Sequence, residues 1–152
     1  MRLSDGFKFT CPDLFEDYRS RFTSIVKFGI AEVMPVPPLE TRPLTADEHD
    51  LIGWMLRHGN QEALLLLPQL ALARATSWRC PCGCASFNLV LEGQQPAAGH
   101  MHIVADFIFG PDNQLSGIFL FEKGGVLAGL EVYGLAGDAP KSLPVSEALR
   151  LA

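Results

Sequence analysis

The sequence has no long hydrophobic run and no stretch that resembles an export signal. Its most apolar segment, residues 64–73, is broken by Pro68 and has about half of the length that spans a bilayer. The first eight residues lack the apolar core of a secretory signal peptide. We therefore expect a cytoplasmic protein with no membrane association, in which the four cysteines are reduced.

The sequence also lacks the familiar signatures of catalysis. It contains no dinucleotide fingerprint, no phosphate-binding glycine loop and no recognisable nucleophile–base–orienter triad. The Cys-x-x-Cys pairs of zinc ribbons and thioredoxin-like proteins are missing too. These absences favour a protein that binds over one that catalyses a reaction.

Charged residues make up 19% of the chain and hydrophobic residues 48%, which is typical of a packed globular protein. The net charge of −5 lies entirely in residues 44–152, because residues 1–43 hold equal numbers of acidic and basic side chains. An acidic body repels phosphate backbones, so the charge argues against a nucleic-acid partner and favours a protein partner.

Residues 1–43 are predicted to form an N-terminal helix followed by a proline-rich arm. Apolar side chains recur at helical spacing from Pro12 to about Gly29, and residues 34–43 then contain four prolines. Prolines at that density cannot continue a helix and make a stiff extended linker. Residues 44–152 are predicted to form a single domain.

That domain is predicted to begin with an αα-hairpin. Thr45 and Glu48 form a capping-box pattern that starts a helix running to about His58, where Gly59 and Asn60 end it. A second helix is predicted from Gln61 to Ala75, kinked or restarted near Pro68.

After residue 76 the hydrophobic pattern changes to the period of a strand. We predict four strands near residues 87–91, 101–109, 115–122 and 126–133, with a two-residue primed turn at Gly124-Gly125. The predicted fold is α+β, with the αα-hairpin packed on a four-stranded antiparallel β-meander.

The turns predict a register for this meander. His102 is expected opposite Glu122, Leu89 opposite Ile103 and Ser86 opposite Asp106. The face that packs on the helices is then predicted to contain Phe87, Leu89, Leu91, Ile103, Ala105, Phe107, Phe119, Phe121, Ala128, Leu130 and Val132. A slip of one residue would exchange the two faces.

The opposite face, called the outer face below, is predicted to be too apolar for bare solvent. Its predicted members are Asn88, Val90, His102, Val104, Asp106, Ile108, Ile118, Leu120, Glu122, Leu127, Glu131 and Tyr133. We expect either the N-terminal helix or a second copy of the chain to cover it, and we predict a homodimer.

One end of the outer face is predicted to gather polar side chains into a candidate binding site. Buried carboxylates there would have raised pKa values, which is common at functional sites. A solvated strand end is the alternative explanation. The candidate residues are Cys84, Ser86, Asp106, Ser116, Glu131 and Tyr133.

Cys80, Cys82 and Cys84 occupy every second position of one short segment. On a straight strand, alternate side chains lie almost 7 Å apart, whereas the sulfurs around a zinc ion are about 3.8 Å apart. We therefore expect thiols packed at the entrance of a strand, without a metal or other cofactor. The alternatives are a zinc site, which requires a tight loop at Pro81-Cys82-Gly83, and redox chemistry through a strained disulfide.

Several segments resemble a loosely defined group of small bacterial proteins of unknown function. The resemblance rests on Leu44-Thr45 with Glu48, on residues 80–86, on Gly129-Leu130-Glu131-Val132-Tyr133 and on Leu143-Pro144. It covers about the last hundred residues and implies no activity, although it suggests that residues 80–86 and Glu131 mark either the group's own site or a structural signature.

Together these patterns predict a non-enzymatic protein-binding module of the toxin-neutralising or adaptor type. The alternative is a thiolate metal-binding protein or a metal-dependent enzyme that uses Cys80, Cys82 and Cys84.

Overall fold

A capping box opens the first helix, α1 (Ala46–His58), in the computed structural model, which describes residues 38–151. The hydroxyl group of Thr45 accepts a hydrogen bond from the Glu48 N–H, and the Glu48 carboxylate accepts one from the Thr45 N–H. Gly59 caps the C-terminal end of the helix. The predicted first helix of the hairpin is therefore confirmed. The helix predicted at residues 12–29 lies outside the described residues.

The second predicted helix is shorter than expected. α2 spans Gln61–Leu66, a 3₁₀ segment covers Leu67–Leu72, and Ala73–Thr76 then form a strand. Pro68 lies at the start of the 3₁₀ segment, where its missing N–H breaks the α-helical hydrogen-bond pattern. The prediction was wrong for residues 73–75, because Ala73 and Ala75 pair with Leu91 and Leu89 in the sheet.

Within residues 38–151, seven strands form one antiparallel sheet, so this part of the chain is α+β. They are β1 (Thr41–Pro43), β2 (Ala73–Thr76), β3 (Phe87–Leu91), β4 (Met101–Phe109), β5 (Ser116–Lys123), β6 (Val126–Gly134) and β7 (Arg150–Leu151). Their order across the sheet is β1-β2-β3-β6-β5-β4-β7. β1 lies at the end of the predicted proline-rich arm.

The predicted meander is only partly present. β4, β5 and β6 follow one another as expected, but β3 pairs with β6 and not with β4. The predicted pairs Leu89–Ile103 and Ser86–Asp106 are therefore wrong. The physical reason is the length of the segment 92–100, which is long enough to pass the β5–β6 turn, where the carbonyl oxygen of Ala98 lies beside Gly124.

The β5–β6 turn agrees with the prediction, because Gly124 and Gly125 both adopt positive φ values, 59° and 82°. The register is also as predicted next to it, where Glu122 pairs with both His102 and Leu127. Beyond this row each strand pair contains a β-bulge. Val104 is the extra residue of β4 and Ala128 the extra residue of β6.

The bulges reverse the predicted faces of β5 and of the residues next to each bulge, whereas Ala105 and Phe107 of β4 and Leu130 and Val132 of β6 lie in the main core as predicted. Phe119 now pairs with Asp106 and Glu131, and Phe121 pairs with Gly129. The placement of Phe119, Phe121 and Ala128 against the helices was wrong, as was that of Ile103, which is 45% exposed. The residues of the outer-face prediction that belong instead to the main core are Val104, Ile118, Leu120 and Leu127.

The main core lies between the sheet and helices α1 and α2. Ile52, Met55 and Leu56 of α1 are fully buried against the inner residues of the sheet, such as Leu120 and Leu130. A smaller apolar cluster lies on the outer face and consists of Phe119, Phe121 and Ala128, with Ala97, Met101 and Tyr133 packed against it.

Candidate metal centre

A tight turn shapes the segment that carries the three cysteines. The Gly83 N–H donates to the Cys80 carbonyl at 2.9 Å, with Pro81 at the second position of the turn, where its fixed φ is favourable. Gly83 has a φ of 78°, which glycine adopts without strain. The other end of the segment is held by the Ala85 N–H, which donates to the Pro140 carbonyl at 2.9 Å.

This turn brings the three sulfur atoms together. The Sγ atoms of Cys80, Cys82 and Cys84 all lie within 4.8 Å of one another, and those of Cys80 and Cys82 are 3.0 Å apart. Cys80 is buried, Cys84 is half-buried and Cys82 is exposed. An entering ion therefore has access from the Cys82 side.

The expectation that these sulfurs are spaced as on an extended strand was wrong. It assumed an extended strand, but β3 begins only at Phe87, and residues 80–83 form a turn. Around a zinc ion, with bonds of about 2.3 Å to sulfur, tetrahedral neighbours lie about 3.8 Å apart, within the range spanned here. Three thiol groups within this range fit a soft, thiophilic ion.

Ser86 links Cys84 to the sheet. Its hydroxyl oxygen accepts a hydrogen bond from the Cys84 thiol at 3.1 Å and from the Val132 N–H at 2.9 Å. The same hydroxyl donates to the Val132 carbonyl at 3.3 Å. Ser86 is only 5% exposed, so Cys84 is held against β6 by a buried group.

The structure separates the residues of the predicted outer-face site. Asp106 and Tyr133 are in contact, because the Tyr133 hydroxyl donates to Asp106 Oδ1 at 3.2 Å. Glu131 lies in the same row of the sheet as Asp106, with Phe119 between them. Cys84 and Ser86 belong to the cysteine segment. Ser116 pairs with Phe109 of the main core, which places it on the inner face, and its hydroxyl donates to the Gln114 carbonyl.

Gly117 is a residue that the sequence patterns did not identify as part of this face. The ring of Tyr133 lies directly over Gly117, in the space that a Cβ atom would occupy, and so reaches Asp106 on the far side of β5. A glycine in the interior of an otherwise apolar strand is the signal that could have revealed this close approach.

Burial changes the acidity of the outer-face groups. Desolvation raises the pKa of Glu131, and no hydrogen bond or ion pair to its carboxylate occurs within residues 38–151. Desolvation also raises the pKa of Asp106, although hydrogen bonds from Tyr133 and from the Phe107 N–H oppose the shift. Burial and the nearby Asp106 raise the pKa of Tyr133 to about 12.

The sequence and the fold give no relative from which a function could be transferred. Comparison with protein-family models, with curated proteins and with solved structures finds no significant match. None of the helices between residues 38 and 151 combines the length and the apolar character that crossing a membrane requires.

Proposed function

We propose that this protein binds a soft divalent ion, zinc in the first instance, through the thiolates of Cys80, Cys82 and Cys84. The observation that carries the proposal is that the three sulfur atoms lie within 4.8 Å of one another. Soft thiolate ligands select zinc, copper(I) or iron–sulfur clusters among biological metals. Three of them leave one of the four positions that zinc prefers for water or a further ligand.

The ion would fix the cysteine segment, and its binding would couple to folding. Residues 80–86 connect β2 to β3 and contact the C-terminal segment through Ala85 and Pro140. Because thiols must lose their protons to bind the metal, binding releases protons and weakens as the pH falls. We therefore propose that the ion stabilises the fold around residues 80–86, and we propose no reaction at this site.

Elemental analysis of the full chain, purified without chelator or added metal, tests this proposal. We expect one zinc ion per chain in the wild-type protein and a large loss in Cys82→Ser. Asp106→Asn is the control, because it alters a potential ligand on the outer face and should retain the ion. A wild-type protein that contains no metal, and that takes up none of the zinc offered to the reduced protein, would overturn the proposal.

A separate observation supports a second candidate function, the binding of a basic protein segment on the outer face. Glu131 is 6% exposed, and its carboxylate, which still reaches solvent, has no hydrogen bond or ion pair among residues 38–151. It lies in the same row as the exposed Asp106 and next to Phe119. A buried carboxylate gains most from a cationic partner that also satisfies its hydrogen bonds. We propose a lysine- or arginine-containing segment as the occupant, and the homodimer is one form of this proposal.

Light scattering and peptide titration distinguish the forms of this second proposal. If the occupant belongs to a second copy, the full chain should have the mass of a dimer, and Glu131→Gln should shift it toward the monomer. If the occupant belongs to another protein, the monomeric chain should bind an arginine-rich peptide, more weakly after the same substitution. A monomer that binds such peptides no better than Glu131→Gln does would contradict both forms.

A further inference from the structure

We propose that Ser86 is a positioning residue of the metal site, whose hydroxyl hydrogen changes its acceptor when the ion binds. The inference deepens the proposed function and rests on it. It concerns a buried hydroxyl group with three partners, and these are the Cys84 thiol, the Val132 N–H and the Val132 carbonyl.

The hydrogen-bond inventory of the hydroxyl group is complete while Cys84 is a thiol. A serine oxygen can accept two hydrogen bonds and donate one. Here it accepts from the Cys84 S–H and from the Val132 N–H, and it donates to the Val132 carbonyl at 3.3 Å. The Ser86 hydroxyl group therefore has all of its hydrogen-bond partners while Cys84 is protonated.

Metal binding removes one of these donors. When the Cys84 sulfur loses its proton to solvent and becomes a ligand, it can only accept, and the S–H that donated to Ser86 no longer exists. The Ser86 O–H can then rotate from the Val132 carbonyl to the thiolate, which lies within 3.1 Å of the same oxygen. A hydrogen bond to a charged acceptor is about twice as strong as one between neutral groups, so this rotation is favourable.

The bond from the Val132 N–H at 2.9 Å persists in both states, because the serine oxygen accepts it in either rotamer. It holds the oxygen in place while the hydrogen rotates. Ser86 therefore positions Cys84 relative to β6 before the ion arrives and stabilises its thiolate afterwards. Outer-shell groups of this kind contribute roughly 10- to 100-fold to metal affinity.

The test compares zinc affinity and cobalt(II) spectra of the full-length wild-type chain, Ser86→Ala, Ser86→Thr and Ser116→Ala. We expect Ser86→Ala to lower zinc affinity by roughly 10- to 100-fold. We expect Ser86→Thr, which keeps the hydroxyl group, to restore most of it. Ser116→Ala is the matched control, because Ser116 is equally buried and also bonds a backbone carbonyl, but it should leave the affinity unchanged.

The spectra separate a positioning role from a purely structural one. A hydrogen bond to a thiolate stabilises its lone pairs, so its loss should move the sulfur-to-cobalt charge-transfer band of Ser86→Ala to lower energy. A variant that was merely less stable would keep the band position of the wild-type site. Equal affinities and equal band positions in the wild type and Ser86→Ala would overturn the inference while leaving the metal site intact.

A measurement on the wild-type protein covers the case in which Ser86→Ala does not fold. The carbonyl carbon of Val132 should change its NMR shift when zinc binds, because it loses a hydrogen-bond donor, and the change should exceed that at its strand partner Ile118. No such change in a protein that demonstrably binds zinc would refute the rotation. A wild-type protein that binds no zinc would instead refute the proposed function.

Discussion

The carboxylate of Glu48 joins β1 to the start of α1 through three hydrogen bonds. Its two oxygens accept from the two terminal nitrogens of Arg42, each at 2.8 Å, and one oxygen also accepts from the Thr45 N–H at 2.9 Å. The hydrogen bonds from Arg42 lower the pKa of Glu48, against the opposing effect of desolvation. This side chain therefore connects the edge of the sheet to the helical layer.

Glu48→Gln should reduce the free energy of unfolding at neutral pH by about 1–2 kcal/mol, because it loses a charged cap and its bidentate partner. Since the folded-state pKa is lowered, this contribution is complete above the ordinary carboxyl pKa and disappears as the pH falls through the folded value. Urea unfolding at neutral and acidic pH should show the difference between wild type and variant closing in acid. A stability difference between wild type and variant that is the same at both pH values would contradict this role of the ionised Glu48 carboxylate.

Gly117→Ala should displace the Tyr133 ring, because the new Cβ would occupy its position. We expect a destabilisation of about 1–3 kcal/mol, as for other overpacked sites. The pKa of Tyr133, raised to about 12 by burial and by Asp106, should fall toward the ordinary tyrosine value. A spectrophotometric titration of the tyrosines measures this pKa. The titration step that is absent in Tyr133→Phe is the one that belongs to Tyr133. An unshifted titration in Gly117→Ala would show that the ring does not depend on this space.

Gln69 connects the 3₁₀ segment to the β5–β6 turn. Its side-chain amide donates to the Gly125 carbonyl and accepts from the Leu127 N–H, both at 2.8 Å. Gln69→Ala should therefore cost about 1–2 kcal/mol and accelerate hydrogen exchange at the Leu127 amide. Glu62→Ala on the exposed side of α2 serves as the control. Unchanged exchange at Leu127 would indicate that the turn is held without Gln69.

The elements that sequence patterns predicted well are those fixed by neighbouring residues. The capping box at Thr45 and Glu48 and the turn at Gly124-Gly125 each depend on a few consecutive side chains, and both are present. The bulges at Val104 and Ala128 depend on how whole strands pack, and no local pattern encodes them. Because the side-chain period of a strand is two, these single extra residues exchanged the predicted positions of Phe119 and Leu120.

The same distinction explains the cysteine segment. The sequence indicated that Pro81 and Gly83 would permit a tight turn, but it did not show that the turn forms, because an extended strand entrance was equally compatible with the alternating pattern. The contact between Ser86 and Val132 is a tertiary feature, because the two residues are 46 positions apart in the sequence, and local patterns do not predict it.

The ionised Glu131 side chain lowers the free energy of unfolding of the whole fold. Desolvation raises its folded-state pKa, so the ionised form opposes folding; this penalty is absent below the ordinary carboxyl pKa and complete above the raised value. Glu131→Gln should therefore be more stable than the wild type at neutral pH and equally stable in acid, as measured by thermal unfolding. A variant that is less stable at neutral pH would indicate that the ionised carboxylate is satisfied by a partner.

Metal binding should also stabilise the domain as a unit. A ligand that binds only the folded chain adds about 2.7 kcal/mol at a free concentration 100 times its Kd, which corresponds to several degrees in Tm for a protein of this size. We expect added zinc to raise the Tm of the reduced full chain and a chelator to lower it. Cys82→Ser should not respond to either. Equal responses in both proteins would show that the ion binds elsewhere.

X-ray absorption at the zinc edge is the most direct test of the proposed coordination by Cys80, Cys82 and Cys84. The zinc-loaded protein should show a first shell dominated by sulfur at about 2.3 Å, with three sulfur ligands or more, and Cys84→Ser should lose one of them. A first shell that consists only of nitrogen and oxygen at about 2.0 Å would contradict the account.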